Sequence, residues 1–208
     1  MKCIKAAVCK ALAGLLCLAG TVTALPAWAD SGSAATLPTA RPVFGVGFTG
    51  GGDPVLSPPV QYSDGTTDQL YAGTGTHIFG GIEYQAVQGV FWRTTLGYHF
   101  TSTAPATNGD ISFSRFPLEL TLHTYIAPDL TIGGGLRKSL GVSVTGTGAV
   151  SNVNYAMDSN TGWLIQGEYE LNSDISLALR LVRETYRVRS TLLDLDAGYV
   201  GVYLNFVF

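Results

Sequence analysis

The sequence predicts an all-β chain: eight antiparallel strands in up-and-down order, closed into a transmembrane β-barrel. Three observations carry this. The last nine residues alternate strictly, with Val200, Val202, Leu204, Phe206 and Phe208 on one face and Tyr199, Gly201, Tyr203 and Asn205 on the other. Seven earlier segments share that period of two. The connections between segments are alternately short and long, an asymmetry typical of membrane barrels that a soluble sandwich has no reason to show.

The N-terminus sets the compartment. Residues 1–10 form a basic stretch carrying Lys2, Lys5 and Lys10, and 11–24 are apolar. Ala27-Trp28-Ala29 supplies a small-x-small cleavage pattern, so 1–29 reads as a secretory signal peptide. Leu15 and Leu16 before Cys17 do not fit a lipoprotein signal. All three cysteines (Cys3, Cys9, Cys17) lie in that segment, which excludes disulfide and cysteine chemistry from the mature chain. Removing the three lysines leaves nine basic against 15 acidic residues, a net charge of −6 with scattered arginines, and no nucleic-acid partner is expected. No stretch reaches the roughly 18 consecutive apolar residues of a spanning helix.

Residues 30–41 are small and polar, a flexible periplasmic lead-in, and 42–208 form the barrel. Strands are expected at 42–49, 70–85, 90–101, 112–126, 130–143, 160–170, 175–188 and 197–208, each alternating and rich in β-branched or aromatic residues. Residues 86–89, 127–129 and 171–174 are tight turns on the periplasmic side. The longer connections are extracellular.

One face of these strands is apolar. It carries Trp92, Leu96, Tyr98 and Phe100; Phe116, Leu118, Leu120 and Leu122; Ile132 and Leu136; Trp163, Ile165 and Tyr169; Leu177, Leu179 and Leu181. Tyr84, Trp92 and Tyr169 fall near periplasmic ends, and Tyr98, Phe100, Phe116 and Trp163 near extracellular ends. That makes two aromatic girdles around an aliphatic middle.

The opposite face holds all five glutamates (Glu83, Glu119, Glu168, Glu170, Glu184) together with Arg93, Arg137 and Arg180. The ten aspartates are assigned to the lead-in, loops or turns. A turn centred on Gln88 sets Glu83 opposite Arg93, and one centred on Pro128 sets Glu119 opposite Arg137. An eight-stranded barrel has an interior that side chains just fill, so these charges are expected to pair there as a plug. The alternative is polar decoration of a half-exposed sheet.

Signal, eight strands, girdles and terminal Phe together resemble the small outer-membrane β-barrels, such as outer membrane proteins A, X and W. Gly50-Gly51-Gly52-Asp53, Leu96-Gly97-Tyr98-His99-Phe100, Asn108-Gly109-Asp110 and Arg115-Phe116-Pro117-Leu118-Glu119-Leu120 resemble a group of proteobacterial outer-membrane proteins. The resemblance implies the outer membrane of a Gram-negative bacterium, with membrane lipid and lipopolysaccharide as surroundings and a monomeric state. It also implies that Val200, Val202, Leu204, Phe206 and Phe208 are read by the barrel-assembly machinery. It adds no reaction.

Candidate chemistry is sparse. His77, His99 and His123 are all expected inside, with His77 opposite His99, but two imidazoles without a third ligand make no zinc site, and no metal or cofactor is expected. His99 and Ser102 resemble the His and Ser of lipid A deacylases, yet three-residue spacing puts them on opposite faces and no acid completes a triad. Arg115, Lys138, Arg183, Arg187 and Arg189 cluster at the extracellular end, where the last four could meet lipopolysaccharide phosphates or simply be solvated. The first loop, 53–68, carries Asp53, Asp64 and Asp68 without calcium-loop spacing and reads as a disordered surface loop. The glycines at 45–52 and 133–135 lie within strands, where they serve close packing or curvature and not a phosphate cradle. The chain therefore reads as a non-enzymatic barrel of envelope structure or surface interaction. The alternatives are a lateral-opening channel for small hydrophobic solutes and, third, a lipid A-modifying enzyme.

Overall fold

A computed structural model describes residues 39–56, 59–61, 65–102, 110–189 and 193–208. The signal segment 1–29 and most of the lead-in lie outside the described residues. The wall has eight strands: β1 Thr39–Gly50, β2 Gly75–Val87, β3 Val90–Ser102, β4 Ile111–Ala127 and β5 Leu130–Gly146 are continuous. β6 comes in two pieces, Asn154–Ser159 and Gly162–Glu170, as do β7, Ile175–Arg183 and Thr185–Val188, and β8, Asp194–Asp196 and Tyr199–Val207. Each strand pairs antiparallel with its chain neighbour. β8 returns to β1 in register from Val43 opposite Val207 to Gly50 opposite Val200, which closes the sheet.

The boundaries of β1, β2, β6 and β8 differ most from expectation. β1 begins at Thr39, inside the expected lead-in, because Thr39 and Ala40 already pair with Gln85 and Tyr84. β2 begins at Gly75 instead of residue 70: Leu70 and Ala72 turn inward and are buried with a loop. β6 and β8 also reach further out, so Asp158, Asp194 and Asp196 sit on strand extensions instead of in loops. β4 and β5 are 17 residues each. A tilted strand crosses a bilayer in about 9–11 residues, so their extracellular ends stand clear of it.

The register inside the barrel depends on two bulges. A tight turn at Gln88-Gly89, with Gly89 at φ 81°, brings Val87 opposite Val90. That register alone would set Glu83 against outward-facing Thr94. A bulge between Gln85 and Val87 inserts one residue, and Glu83 then meets Arg93. A second bulge between Tyr125 and Ala127 does the same for Glu119 and Arg137.

Alternation then sorts the side chains. Phe44, Phe48, Ile82, Trp92, Leu120, Leu136, Trp163, Leu179 and Val202 point away from the barrel, Phe48 with 71% of its surface uncovered. A contiguous apolar surface of this extent is unstable in water and stable against lipid tails. Tyr84, Trp92 and Tyr169 stand at one rim of it, Tyr98, Phe100 and Trp163 at the other. The inner face is crowded: a Cβ on Gly45 would lie 2.2 Å from the Phe79 ring, on Gly47 2.3 Å from Tyr203, and on Gly133 2.3 Å from His123. These glycines are spaces into which lumen rings lie flat.

Leu179 is at the centre of the first piece of β7 and 60% exposed. Leu179→Arg is expected to lower the unfolding free energy in lipid vesicles by about 2–4 kcal/mol, the cost of a guanidinium at mid-bilayer. Urea titration checks this, and no change would contradict a bilayer around the belt.

Candidate functional site

The lumen is the candidate site, and its polar side chains form one connected series. At the periplasmic end Arg41 of β1, partly exposed, pairs with Glu83 of β2. Arg93 of β3 donates from Nη2 to Glu83 Oε2 at 2.8 Å and from Nη1 to Glu168 Oε2 at 2.9 Å. Glu168 projects from β6, across the barrel. It also accepts from Ser176 Oγ and, at 2.7 Å, from Gln166 Nε2. Gln166 is the splice: its Oε1 accepts from Arg180 Nε at 2.7 Å. Arg180 Nη1 donates to Glu119 Oε2 at 2.9 Å, and its guanidinium lies 4.3 Å from the centre of the Tyr203 ring. Glu119 accepts in turn from Arg137 Nη1, and Arg137 Nε donates to Glu184 Oε2 at 2.9 Å. Arg137 Nη1 also donates to Tyr199 Oη at 2.8 Å.

All of these groups beyond Arg41 are buried. A charge removed from water is held only by an opposite charge with good hydrogen bonds, and here each carboxylate touches a guanidinium. At the periplasmic end of the series a cavity of about 230 Å³ opens, bordered by its members Arg41, Glu83, Arg93 and Glu168 and by Glu170.

Glu184 has a second task. It sits at the break in β7, beside a gap in the wall. The β5–β6 ladder stops at Arg137 opposite Gly162 and resumes at Val142 opposite Met157. In that gap Ser139 N–H donates to Glu184 Oε1 at 2.8 Å, and Ser159 Oγ donates to the same oxygen at 2.7 Å. The side chain supplies the acceptor that the missing strand pairing would have given.

Above this level lie His77 and His99, directly opposite one another, their rings stacked 5.3 Å apart. They do not converge on a common point. His77 Nδ1 is 3.1 Å from Tyr203 Oη, and His99 Nε2 is 2.9 Å from Thr49 Oγ1. His123 lies near the periplasmic end, stacked on Phe91 at 4.9 Å. Among the described residues no group of three or more His, Cys, Asp or Glu could hold a metal ion. Ser102 is exposed at the end of β3, on the opposite face from buried His99.

Two expectations are corrected here. Arg115 is not a rim cation: it is buried, with Nη2 2.7 Å from His99 Nδ1 and Nη1 donating to the Ala72 carbonyl. Its inward phase was readable, since 113, 115 and 119 share one face. The first loop, where described, is not a disordered surface segment either. Val55, Leu70 and Ala72 pack among Ile111, Phe113, Val142, Val144, Met157 and Tyr186 and close the extracellular mouth. Full burial of each larger aliphatic side chain contributes roughly 1.5–3 kcal/mol. Asp53 Oδ2 accepts from the Asp196 N–H at 2.9 Å, and Asp68 caps the N–H of Gln69; Asp64 lies outside the described residues.

The remaining cations do face outward, but three have acidic partners: Arg183 with Asp196 at 3.0 Å, Arg187 with Asp194 at 2.7 Å and Arg189 with Asp158 at 2.6 Å. The hydrogen bonds from Arg189 and Arg187 hold the Asp158 and Asp194 carboxyls below the usual carboxylate range. Lys138 is exposed on the outer face of β5 between Leu136 and Leu140. In the terminal strand Val200, Val202 and Phe208 are exposed and Leu204 and Phe206 half-buried, while Tyr203 and Asn205 point into the lumen.

No protein-family model matches the sequence, and no curated protein matches it. Among solved structures the chain is similar to neisserial surface protein A, with a TM-score of 0.50 and 12% identity over 82% of this chain and 99% of that one. The fold is that of the small outer-membrane barrels. Weaker likenesses include Ail, the attachment invasion locus protein of Yersinia pestis, solved with the heparin analogue sucrose octasulfate (TM-score 0.45, 9% identity, 81% of this chain and 97% of that one). Another is the outer membrane protein OprG of Pseudomonas aeruginosa (TM-score 0.38, 14% identity, 81% and 95%).

Glu119 holds two guanidiniums, so Glu119→Ala is expected to leave two buried cations short of an anion and to cost about 3–5 kcal/mol of folding free energy. Denaturant titration of the lipid-inserted barrel measures it. A loss below 1 kcal/mol, the range of exposed pairs, would mean that water reaches the site.

Proposed function

We propose that this chain is an integral outer-membrane barrel with a charge-plugged, non-conducting lumen, serving envelope structure or surface interaction without catalysis. The observation that carries the reading is the unbroken series Arg41–Glu83–Arg93–Glu168–Gln166–Arg180–Glu119–Arg137–Glu184. It runs from the periplasmic cavity up to the layer beneath the first loop. An ion crossing the barrel would have to part these pairs and strand their charges. The separation of His99 from Ser102 supports the non-enzymatic part of the reading. Lipid and lipopolysaccharide are the proposed surroundings, the protein is a monomer, and the outward Val, Leu and Phe of the terminal strand are the proposed signal for the assembly machinery. Lys138, flanked by leucines at the upper edge of the belt, is the best placed lipopolysaccharide contact. Arg183, Arg187 and Arg189 would meet phosphates only by sharing or exchanging their aspartates.

A second reading, lateral release of a small hydrophobic solute, draws on the gap in the β5–β6 ladder. It would require Glu184 to leave Ser139 and Ser159.

Planar-bilayer recording distinguishes them. The plugged barrel is expected to give no steady unitary current, and regular openings would overturn it. Lipopolysaccharide retained on purification should fall in Lys138→Ala; unchanged retention would remove that contact from the account.

A further inference from the structure

The first loop is gripped by its main-chain carbonyls, and the residue that grips it is chemically out of place. Each other arginine described in the lumen touches a carboxylate; Arg115 touches none among the described residues. Its guanidinium lies over Phe113 at 5.0 Å and Tyr186 at 5.5 Å, meets His99 Nδ1 from Nη2 at 2.7 Å and from Nε at 3.2 Å, and donates from Nη1 to the Ala72 carbonyl. His99 accepts at Nδ1 and so bears its proton on Nε2, toward Thr49. Thr49 Oγ1 in turn donates to the Gly73 carbonyl at 2.7 Å. Two barrel side chains thus hold two consecutive carbonyls of one loop.

A guanidinium is matched best by a planar anion that accepts two parallel N–H bonds, and a lone carbonyl dipole is a poor substitute. The two rings beside this cation, Phe113 and Tyr186, belong to an apolar cluster with Ile111, Val142, Val144 and Met157. The loop adds Val55 and Leu70 to that cluster, and its stems carry left-handed glycines, Gly52 at φ 80° and Gly75 at φ 148°. Such stems let a short segment change direction without strain.

We propose that the extracellular chamber under the first loop is a binding site for a carboxylate borne on an aliphatic tail, for which the loop is the resident stand-in. Ala72 holds the place of the head group, and Val55 and Leu70 hold that of the tail. The ligand enters from outside, displaces the loop, gives Arg115 an anion where the described residues supply none, and keeps the apolar cluster out of water. Arg137 and Glu184 lie below and are not disturbed, so binding requires no passage and does not depend on whether the lumen conducts.

The test titrates octanoate, octanol, octylammonium and inorganic phosphate into the whole barrel in lipid nanodiscs, by calorimetry corrected for empty discs. Octanoate is expected to bind at least tenfold more tightly than the other three. Arg115→Met should weaken octanoate at least tenfold and leave octanol unchanged. Val55→Ser with Leu70→Ser, which weakens the competing loop without touching the cation, should tighten octanoate at least threefold, and this variant decides the matter if Arg115→Met does not fold. Octanol or phosphate binding as well as octanoate, or no gain in the loop variant, would overturn the proposal.

Discussion

The series of guanidinium–carboxylate contacts through the lumen, spliced at Gln166, is the constraint on which the other features depend. The charged side chains of the inner face are buried, and a buried charge is held only by an opposite charge with good hydrogen bonds. Once Glu119 is inside, Arg137 and Arg180 must reach it, and once Arg137 is inside, Glu184 must meet its other edge. The two periplasmic bulges follow from this. Each shifts one hairpin by a residue so that glutamate and arginine share a face, and without that shift every pair in the hairpin would move out of phase. The inner glycines follow as well, since Phe79, Tyr203 and His123 can lie flat only over strands without side chains.

Along its axis the barrel is layered. A periplasmic cavity is open at Arg41, the ion-paired series occupies the middle, and the imidazole pair with Arg115 lies above it. An apolar cluster to which the first loop contributes Val55, Leu70 and Ala72 forms the top. The wall is interrupted near Glu184, where the β5–β6 ladder breaks and the Glu184 carboxylate and the Ser159 hydroxyl take the Ser139 N–H. Glu184 therefore joins the charge series to the integrity of the wall.

What could be read in the sequence was local or periodic. Glu83 opposite Arg93 and Glu119 opposite Arg137 are contacts within hairpins, set by a turn a few residues away, and the period of two sorts their faces. Glu168 with Arg93 and Arg180 with Glu119 span the barrel. They depend on closure and strand stagger, which no short window of sequence encodes. The burial of the first loop is likewise not encoded locally. Its Pro, Ser and Asp content signals a turn-rich surface segment, while Val55 and Leu70 become core only because β4, β5 and β6 rise high enough to surround them. The aspartates at 158, 194 and 196 lie just outside the alternating windows 160–170 and 197–208, so the period of two does not reach them. As strand extensions above the bilayer they are solvated, and they take Arg189, Arg187 and Arg183 as partners.

The most direct test of a dry, ion-paired lumen is the exchange of arginine side-chain N–H protons with water, followed by nitrogen-15 NMR of the barrel in lipid. Sealed pairs predict that Arg93, Arg137 and Arg180 keep slowly exchanging Nε–H and Nη–H signals while Arg187 and Arg189 at the rim exchange rapidly. Exchange of the three lumen arginines as fast as the rim pair would mean that water threads the barrel, and would contradict the account.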